Sequence, residues 1–254
     1  MPLANLSRAA LLGCALAVLA AGAAGATAVV EFEDIVVKAD GGFQPRTLPR
    51  KQFAPIEFQG YIDIGSRSGG RPRTLSRAVI DFDRDGRLSV GGLPTCPPER
   101  IAAASSAEAR SLCRGAIVGT GKVDALIYVG DSVLPASSPL TIFNGPPNAG
   151  RPTVVLHART TTPATQTYAI LVPIERRRGY FRYRATLDIP PIAGGLGVLT
   201  RIKVELGRRF TVHGQRRSYV SAHCSDGILQ TNGRLTFAGG TVIDGAVDKF
   251  CRVK

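Results

Sequence analysis

The sequence predicts an all-β protein, an antiparallel β-sandwich with a small disulfide-closed helical hairpin insert. Many short stretches alternate apolar and polar residues, which is the periodicity of a strand with one buried face. The 254 residues include 29 glycines and 17 prolines, a composition typical of turn-rich β proteins. The sequence does not alternate strands with helices regularly, which is the pattern that would indicate a parallel sheet. Hydrophobic residues make up 44% of the chain, which excludes a mostly disordered protein.

Residues 1–26 have the pattern of a secretory signal peptide. Arg8 precedes an apolar run over 9–21, and the small residues of 22–28 offer cleavage sites. We therefore expect a secreted, extracellular protein in which 27–254 form a single β-sandwich domain. An uncleaved N-terminal membrane anchor is the alternative, because the uncharged run continues beyond the small residues. After cleavage we expect no stable membrane insertion.

The cysteines beyond the signal peptide predict two crosslinks. Their even number in an exported chain is typical of two disulfides, and three pairings are possible. We favour the two pairs that are local in sequence, because closing a short loop costs the least entropy. These cysteines are Cys96, Cys113, Cys224 and Cys251.

The segment 97–113 is the predicted helical insert. It is rich in alanine, glutamate and arginine, which favour helix. One straight helix would separate Cys96 from Cys113 by about 25 Å, whereas a disulfide requires Cα atoms within about 7 Å. The Ser-x-x-Glu pattern from Ser105 to Glu108 is a capping box that starts a new helix. We therefore expect two short helices, about 98–103 and 106–113, that cap the sheet.

Strands are predicted over most of the remaining chain. Residues 181–189 alternate apolar side chains with arginine, threonine and aspartate, so one face of this strand is buried. Asn232-Gly233 favours a two-residue turn between 228–231 and 234–237. Similar apolar runs predict strands at 123–129, 154–158, 168–174, 202–206 and 219–224.

The stretch 81–86 reads Asp-Phe-Asp-Arg-Asp-Gly and has two interpretations. It resembles the start of a calcium-binding loop, but Gly92 occupies the position where such loops have a bidentate carboxylate. A hairpin with residues 84–86 as its loop explains the same residues and pairs Phe82 with Leu88 on an apolar face. We favour the hairpin.

Other reactive residues have simple structural interpretations. Gly130-Asp131-Ser132 is similar to the nucleophile block of a hydrolase family, but its required Asp-x-x-His is missing, so we interpret it as a turn. His157, His213 and His223 lack the spacing of a metal site. We therefore assign no catalytic residue, no metal and no cofactor.

An arginine-rich stretch is the candidate binding site. The protein has 32 basic and 19 acidic residues, so an acidic partner is favoured electrostatically. Arg208, Arg209, Arg216 and Arg217 extend the basic region. A solvated face that only increases solubility is the alternative interpretation. The candidate polyanion-binding residues are Arg176, Arg177, Arg178, Arg182 and Arg184.

Several motifs together resemble a family of secreted proteins from high-GC Gram-positive bacteria to which no activity is assigned. The resemblance spans most of residues 27–254 and implies export, two disulfides and a β-rich fold, without implying any chemistry. The matching stretches are 53–56, 80–83, 91–96, 113–121, 143–145, 207–210, 218–224 and 251–253.

These observations predict a non-catalytic binding or structural module of the cell envelope or extracellular space. Binding of a polyanion or carbohydrate through the arginine-rich strand is one alternative, with acidic cell-envelope polymers as partners and no specific nucleic acid. The absence of tryptophan removes the usual sugar-stacking side chain. A secreted hydrolase whose site is assembled from loops is the other alternative.

Overall fold

The computed structural model describes residues 27–254. The predicted signal peptide and its cleavage sites lie in 1–26 and so fall outside the described residues. Strands dominate residues 27–254, which confirms the all-β class. Within this part of the chain the only α-helix, Ser106–Leu112, has 7 residues, and none of the helices has the length and hydropathy that a membrane crossing requires.

The strands are numbered along the chain. In the described residues they are β1 (Ala28–Phe32), β2 (Ile35–Gln44), β3 (Thr47–Leu48), β4 (Ala54–Pro55), β5 (Glu57–Ser66), β6 (Leu75–Asp83), β7 (Gly86–Leu88), β8 (Ile117–Val129), β9 (Ser132–Asn144), β10 (Thr153–Thr160), β11 (Gln166–Arg176), β12 (Phe181–Asp188), β13 (Gly197–Leu206), β14 (Arg209–Val212), β15 (Gln215–Ser218), β16 (Val220–Ala222), β17 (Ile228–Phe237), β18 (Val242–Phe250) and β19 (Arg252–Val253). The helix Ser106–Leu112 is α1, and single 3-10 turns occupy Pro98–Arg100, Arg114–Ala116 and Ala193–Gly195.

One antiparallel sheet contains 12 of these strands, in the order β1-β2-β5-β13-β8-β9-β10-β11-β12-β6-β17-β18. The predicted sandwich is not confirmed, because this single sheet curls until it is nearly a barrel. Its main core cluster combines strands that are far apart in the sheet order, which only a curled sheet permits. That cluster contains Ile35, Val37, Ile64, Leu75, Ala78, Leu199, Leu235, Phe237 and Ile243.

An ion pair connects the two ends of the curled sheet. No ladder joins β1 to β18 within residues 27–254, so this seam lacks backbone hydrogen bonds. Lys249 of β18 is buried, and its Nζ lies 2.5 Å from the Asp40 carboxylate of β2. Burial opposes ionisation of Asp40, but the Lys249 contact and the Gly41 N–H outweigh it and lower the pKa of the Asp40 carboxyl. This ion pair therefore connects the two ends of the sheet, which in residues 27–254 are not joined by backbone hydrogen bonds.

Two glycines allow β8 and β13 to approach closely. A Cβ atom at Gly121 would lie 2.1 Å from the Lys203 carbonyl oxygen, and one at Gly119 would lie 2.3 Å from that of Glu205. Backbone atoms cannot move aside as a flexible side chain can. Glycine is therefore required here for the strands to bend inward together.

Both disulfides join cysteines that are local in sequence, as predicted. Cys96 bonds to Cys113 with a Cα separation of 5.7 Å, and Cys224 bonds to Cys251 with one of 6.0 Å. The predicted capping box is also present, because Ser105 accepts a hydrogen bond from the Glu108 N–H and the Glu108 carboxylate accepts one from the Ser105 N–H.

The helical hairpin insert is not confirmed in full. Its second half is the helix α1, but its first half is only the 3-10 turn Pro98–Arg100. The N–H groups of Arg100 and Ile101 bond to carbonyls three residues back. Two prolines begin this segment and supply no donors, and the Cys96–Cys113 disulfide keeps it short. The result is a compact cap rather than two paired helices.

Two predicted hairpins are wrong. Asn232 and Gly233 lie inside the continuous strand β17, opposite Ala246 and Gly245 of β18, and the turn falls at Gly239–Gly240, where φ is positive. The strand β7 pairs with β16 instead of folding back on β6, which is flanked by β12 and β17. In both cases long-range partners replace the expected local one.

Gly121→Ala should lower the free energy of unfolding by about 2 kcal/mol, because the added methyl group must displace backbone in a packed sheet. Denaturant unfolding followed by circular dichroism measures this loss. Gly65→Ala is the matched control, since nothing lies within 4 Å of a Cβ there and the change should cost under about 0.5 kcal/mol. Equal stabilities of the two variants would contradict the close approach of β8 and β13.

Candidate functional site: an arginine-lined cleft

A cleft of about 640 Å³ lies where β7, the β11–β12 turn and β15 meet. Among residues 27–254, no acidic residue lines it. Its walls are completed by Leu88, Ser89, Val90, Gly91, Gly179 and Tyr183. Half of its lining residues are arginines, namely Arg84, Arg87, Arg176, Arg177, Arg182 and Arg217.

The turn between β11 and β12 brings several of these arginines together. The Arg177 N–H donates to the Arg182 carbonyl at 2.7 Å and closes the turn. Gly179 has a φ of 102°, a conformation that residues with a Cβ rarely adopt. The Arg84 N–H donates to the Tyr180 carbonyl at 3.0 Å, so the β6–β7 turn is attached to the same loop.

A bulge in β12 directs Arg182 into the cleft. The pairing of β12 with β6 shifts between Phe181, which faces Asp83, and Tyr183, which faces Phe82. Arg182 is the extra residue at this shift. A bulge re-aims the side chain of its extra residue. Arg182 therefore leaves the regular alternation of the strand and joins the cleft.

The wall of the cleft that the β7 region forms is fixed by two hydrogen bonds donated by its backbone N–H groups. The Leu88 N–H donates to the Tyr183 hydroxyl at 3.4 Å, and the Ser89 N–H donates to the Tyr219 carbonyl at 2.9 Å. Tyr219 is fully buried. Since both acceptors are anchored in the core, the wall is a fixed part of the fold.

The charge of the cleft is largely uncompensated. Arg84 lies 3.4 Å from the Asp226 carboxylate. Within residues 27–254 the other five cleft arginines have no carboxylate within 4.0 Å. Seven arginines outside the cleft do have such partners, namely Arg67, Arg73, Arg77, Arg151, Arg184, Arg201 and Arg234. Unpaired guanidinium groups close together create a strong positive potential.

Phe53 organises two of the cleft arginines. The guanidinium carbon of Arg87 lies 5.3 Å from the centre of the Phe53 ring, and that of Arg182 lies 5.2 Å from it. A cation over an aromatic face is attracted by the ring quadrupole. One ring therefore contacts the guanidinium groups of two different strands, each within about 5.3 Å of its centre.

A histidine and a buried carboxylate lie behind Phe53. The His223 ring meets the Phe53 ring edge-on at 4.8 Å, and its Nδ1 is 3.4 Å from the Asp85 carboxylate. That contact is not aligned as a hydrogen bond, so His223 Nδ1 is buried without a hydrogen-bond partner. Asp85 is only 2% exposed and accepts a hydrogen bond from the Ser225 N–H at 2.6 Å.

The three aspartates of the 81–86 stretch bind protein groups. Asp81 forms a two-point ion pair with Arg184, at 2.8 and 2.7 Å. Asp83 accepts hydrogen bonds from the N–H groups of Asp85 and Gln230. Burial raises the pKa of the Asp83 carboxyl. No group of three or more His, Cys, Asp or Glu residues among the described part of the chain is arranged to hold a metal ion.

The predicted arginines separate into two groups. Arg176, Arg177 and Arg182 line the cleft. Arg178 is exposed in the turn outside it, and Arg184 is engaged by Asp81 on the neighbouring strand.

Sequence reasoning missed Arg84, Arg87 and Phe53. Arg84 and Arg87 lie in the stretch interpreted as a local hairpin, and Phe53 lies far away in the loop before β4. A clue was present, since the 81–86 stretch and its flank contain basic as well as acidic residues.

The remaining candidate residues are dispersed. Gly130 and Asp131 form the tight turn between β8 and β9, as predicted. His213 lies in the β14–β15 turn with a φ of 48°. His157 is buried on β10 and contacts the carbonyl oxygen of Ala104 through Nε2 at 3.2 Å.

A second cavity of about 520 Å³ lies at the ends of β2, β5, β8 and β13. It contains both acidic and amide side chains, including Glu57, Glu205 and Gln59. Its arginine, Arg208, donates to the backbone carbonyls of Arg114 and Ile117. Charge of one sign is therefore not concentrated here as it is in the arginine-lined cleft.

No protein-family model, curated protein or solved structure matches the chain. The resemblance to a secreted bacterial family therefore stays a prediction.

His157 should make the protein less stable in mild acid. Burial lowers the pKa of its imidazole below the ordinary value of 6.5, so the unfolded chain takes up a proton that the folded chain resists. Stability from this residue is complete above pH 6.5 and declines as the pH falls below that value.

His157→Asn should remove this part of the pH dependence. Between pH 7 and 5 the wild type should lose up to about 2 kcal/mol more of its unfolding free energy than the variant. Urea unfolding at each pH measures the difference, with His213→Asn as the control for a histidine in a turn. Parallel pH profiles of wild type and His157→Asn would contradict this role of burial.

Proposed function

We propose that this protein is an exported, non-catalytic module that binds an acidic polymer of the cell envelope in the arginine-lined cleft. The observation that carries the proposal is the group of five arginines without carboxylate partners in a cleft that no acidic residue lines. Charge-assisted hydrogen bonds from guanidinium groups suit phosphate, sulfate and carboxylate oxygens.

The composition of the cleft supports binding over catalysis. Its lining includes no histidine, cysteine or carboxylate that could serve as a general base. Ser89 and Tyr183 are the lining residues that have a side-chain hydroxyl group. Without a base beside them, neither hydroxyl is activated as a nucleophile.

The disulfides support the proposed location. Disulfides persist in oxidising compartments and are rare in the cytosol. Cys96–Cys113 fixes the cap on the sheet, and Cys224–Cys251 fixes the segment beside His223. Together with the signal-peptide pattern of 1–26, they favour an extracellular module.

Retention on immobilised heparin or phosphocellulose should require the cleft. We expect Arg176→Ala with Arg177→Ala to elute at clearly lower salt than the wild type, because counterion release falls as contacts are lost. In solution, a plot of log affinity against log salt concentration should become shallower by about 1 to 2 for this double variant.

The matched control is Arg67→Ala with Arg73→Ala, which removes the same charge from arginines paired with Glu31 and Glu33. This control should elute close to the wild type. If both double variants shift equally, binding depends on net charge alone and the proposed cleft site is wrong. A wild-type elution that does not depend on salt would reject polyanion binding altogether.

A further inference from the structure

We infer that Phe53, Arg87 and Arg182 form a clamp for one tetrahedral oxyanion, a phosphate or sulfate of the bound polymer. The inference rests on the proposed function and names the part of the cleft that makes the tightest contact. Phe53 is its positioning residue, because it acts through the two arginines.

Arg87 and Arg182 contact the same aromatic ring. Two guanidinium carbons lie within about 5.3 Å of the Phe53 ring centre, one from β7 and one from the bulge of β12. Both arginines also line the same cleft, and an anion that contacts both of them there lowers their mutual repulsion. A tetrahedral dianion supplies two charges and several acceptor oxygens, which matches two forked donors.

Within residues 27–254 the fold provides no carboxylate partner for these two arginines. In the described residues neither Arg87 nor Arg182 is within 4.0 Å of a carboxylate, whereas Arg184, two residues further along β12, is fully paired with Asp81. The fold therefore compensates the neighbouring arginine and leaves the clamp open to a ligand.

His223 packs against the edge of the Phe53 ring. The two ring centres lie 4.8 Å apart, and only 15% of the His223 side chain is exposed. This contact limits movement of the Phe53 ring, so the two guanidinium groups share a fixed platform.

Inorganic sulfate is the probe, because it stays doubly charged from pH 5.5 to 7.5. Isothermal titration calorimetry of the exported protein should show that Phe53→Leu weakens sulfate affinity about fivefold. Phe53→Trp, which keeps an aromatic face, should retain the wild-type affinity. Phe250→Leu is the control, since this exposed phenylalanine lies on β18 outside the cleft.

Recovery of sulfate affinity in Phe53→Trp separates positioning of the two arginines from mere structural support. Thermal melting verifies that each variant is folded. If Phe53→Leu does not fold, Arg182→Gln replaces it and should weaken sulfate binding to a similar extent.

The outcomes distinguish the clamp from the proposed polymer-binding function. Sulfate binding that depends on Phe53, without polymer retention, would support the clamp and reject the proposed function. Polymer retention with no sulfate binding, or with equal affinity in Phe53→Leu and wild type, would reject the clamp alone. Retention on phosphocellulose or on heparin identifies phosphate or sulfate as the preferred group.

Discussion

The ion pair between Lys249 and Asp40 joins the two ends of the curled sheet, beside the apolar core that both ends share. Every other neighbouring pair of strands in the sheet is joined by backbone hydrogen bonds, but the seam between its two ends is not. A buried lysine with its carboxylate partner holds this seam. Because removal of one partner leaves an uncompensated buried charge, the seam tolerates either a complete pair or an apolar replacement of both residues.

Sequence patterns predicted the elements of this fold well and their partners poorly. Alternating polarity identified the strands near 181–189 and 202–206, and the capping box identified the start of α1, since these signals are local. Asn232-Gly233 was misinterpreted because β17 finds partners on both sides, and their ladders outweigh a local turn preference. Strand pairing between distant segments leaves little trace in one sequence.

In the candidate site, too, sequence patterns identified individual residues better than their contacts. Arg176, Arg177 and Arg182 were recognised from their density, but density did not distinguish Arg182 from Arg184. The difference arises from a bulge that shifts the pairing of β12 with β6, together with the position of Asp81 opposite Arg184. Phe53 could not be identified, because its role exists only after four separate segments have assembled.

The disulfide between Cys224 and Cys251 has a consequence for when the cleft matures. Cys224 adjoins His223, and the Cys224 N–H donates to the Pro49 carbonyl in the loop that leads to Phe53. In the reducing cytosol a newly synthesised chain would lack this covalent brace. A chain that is oxidised only after leaving the cytosol would therefore gain the covalent link between these two segments at that later stage.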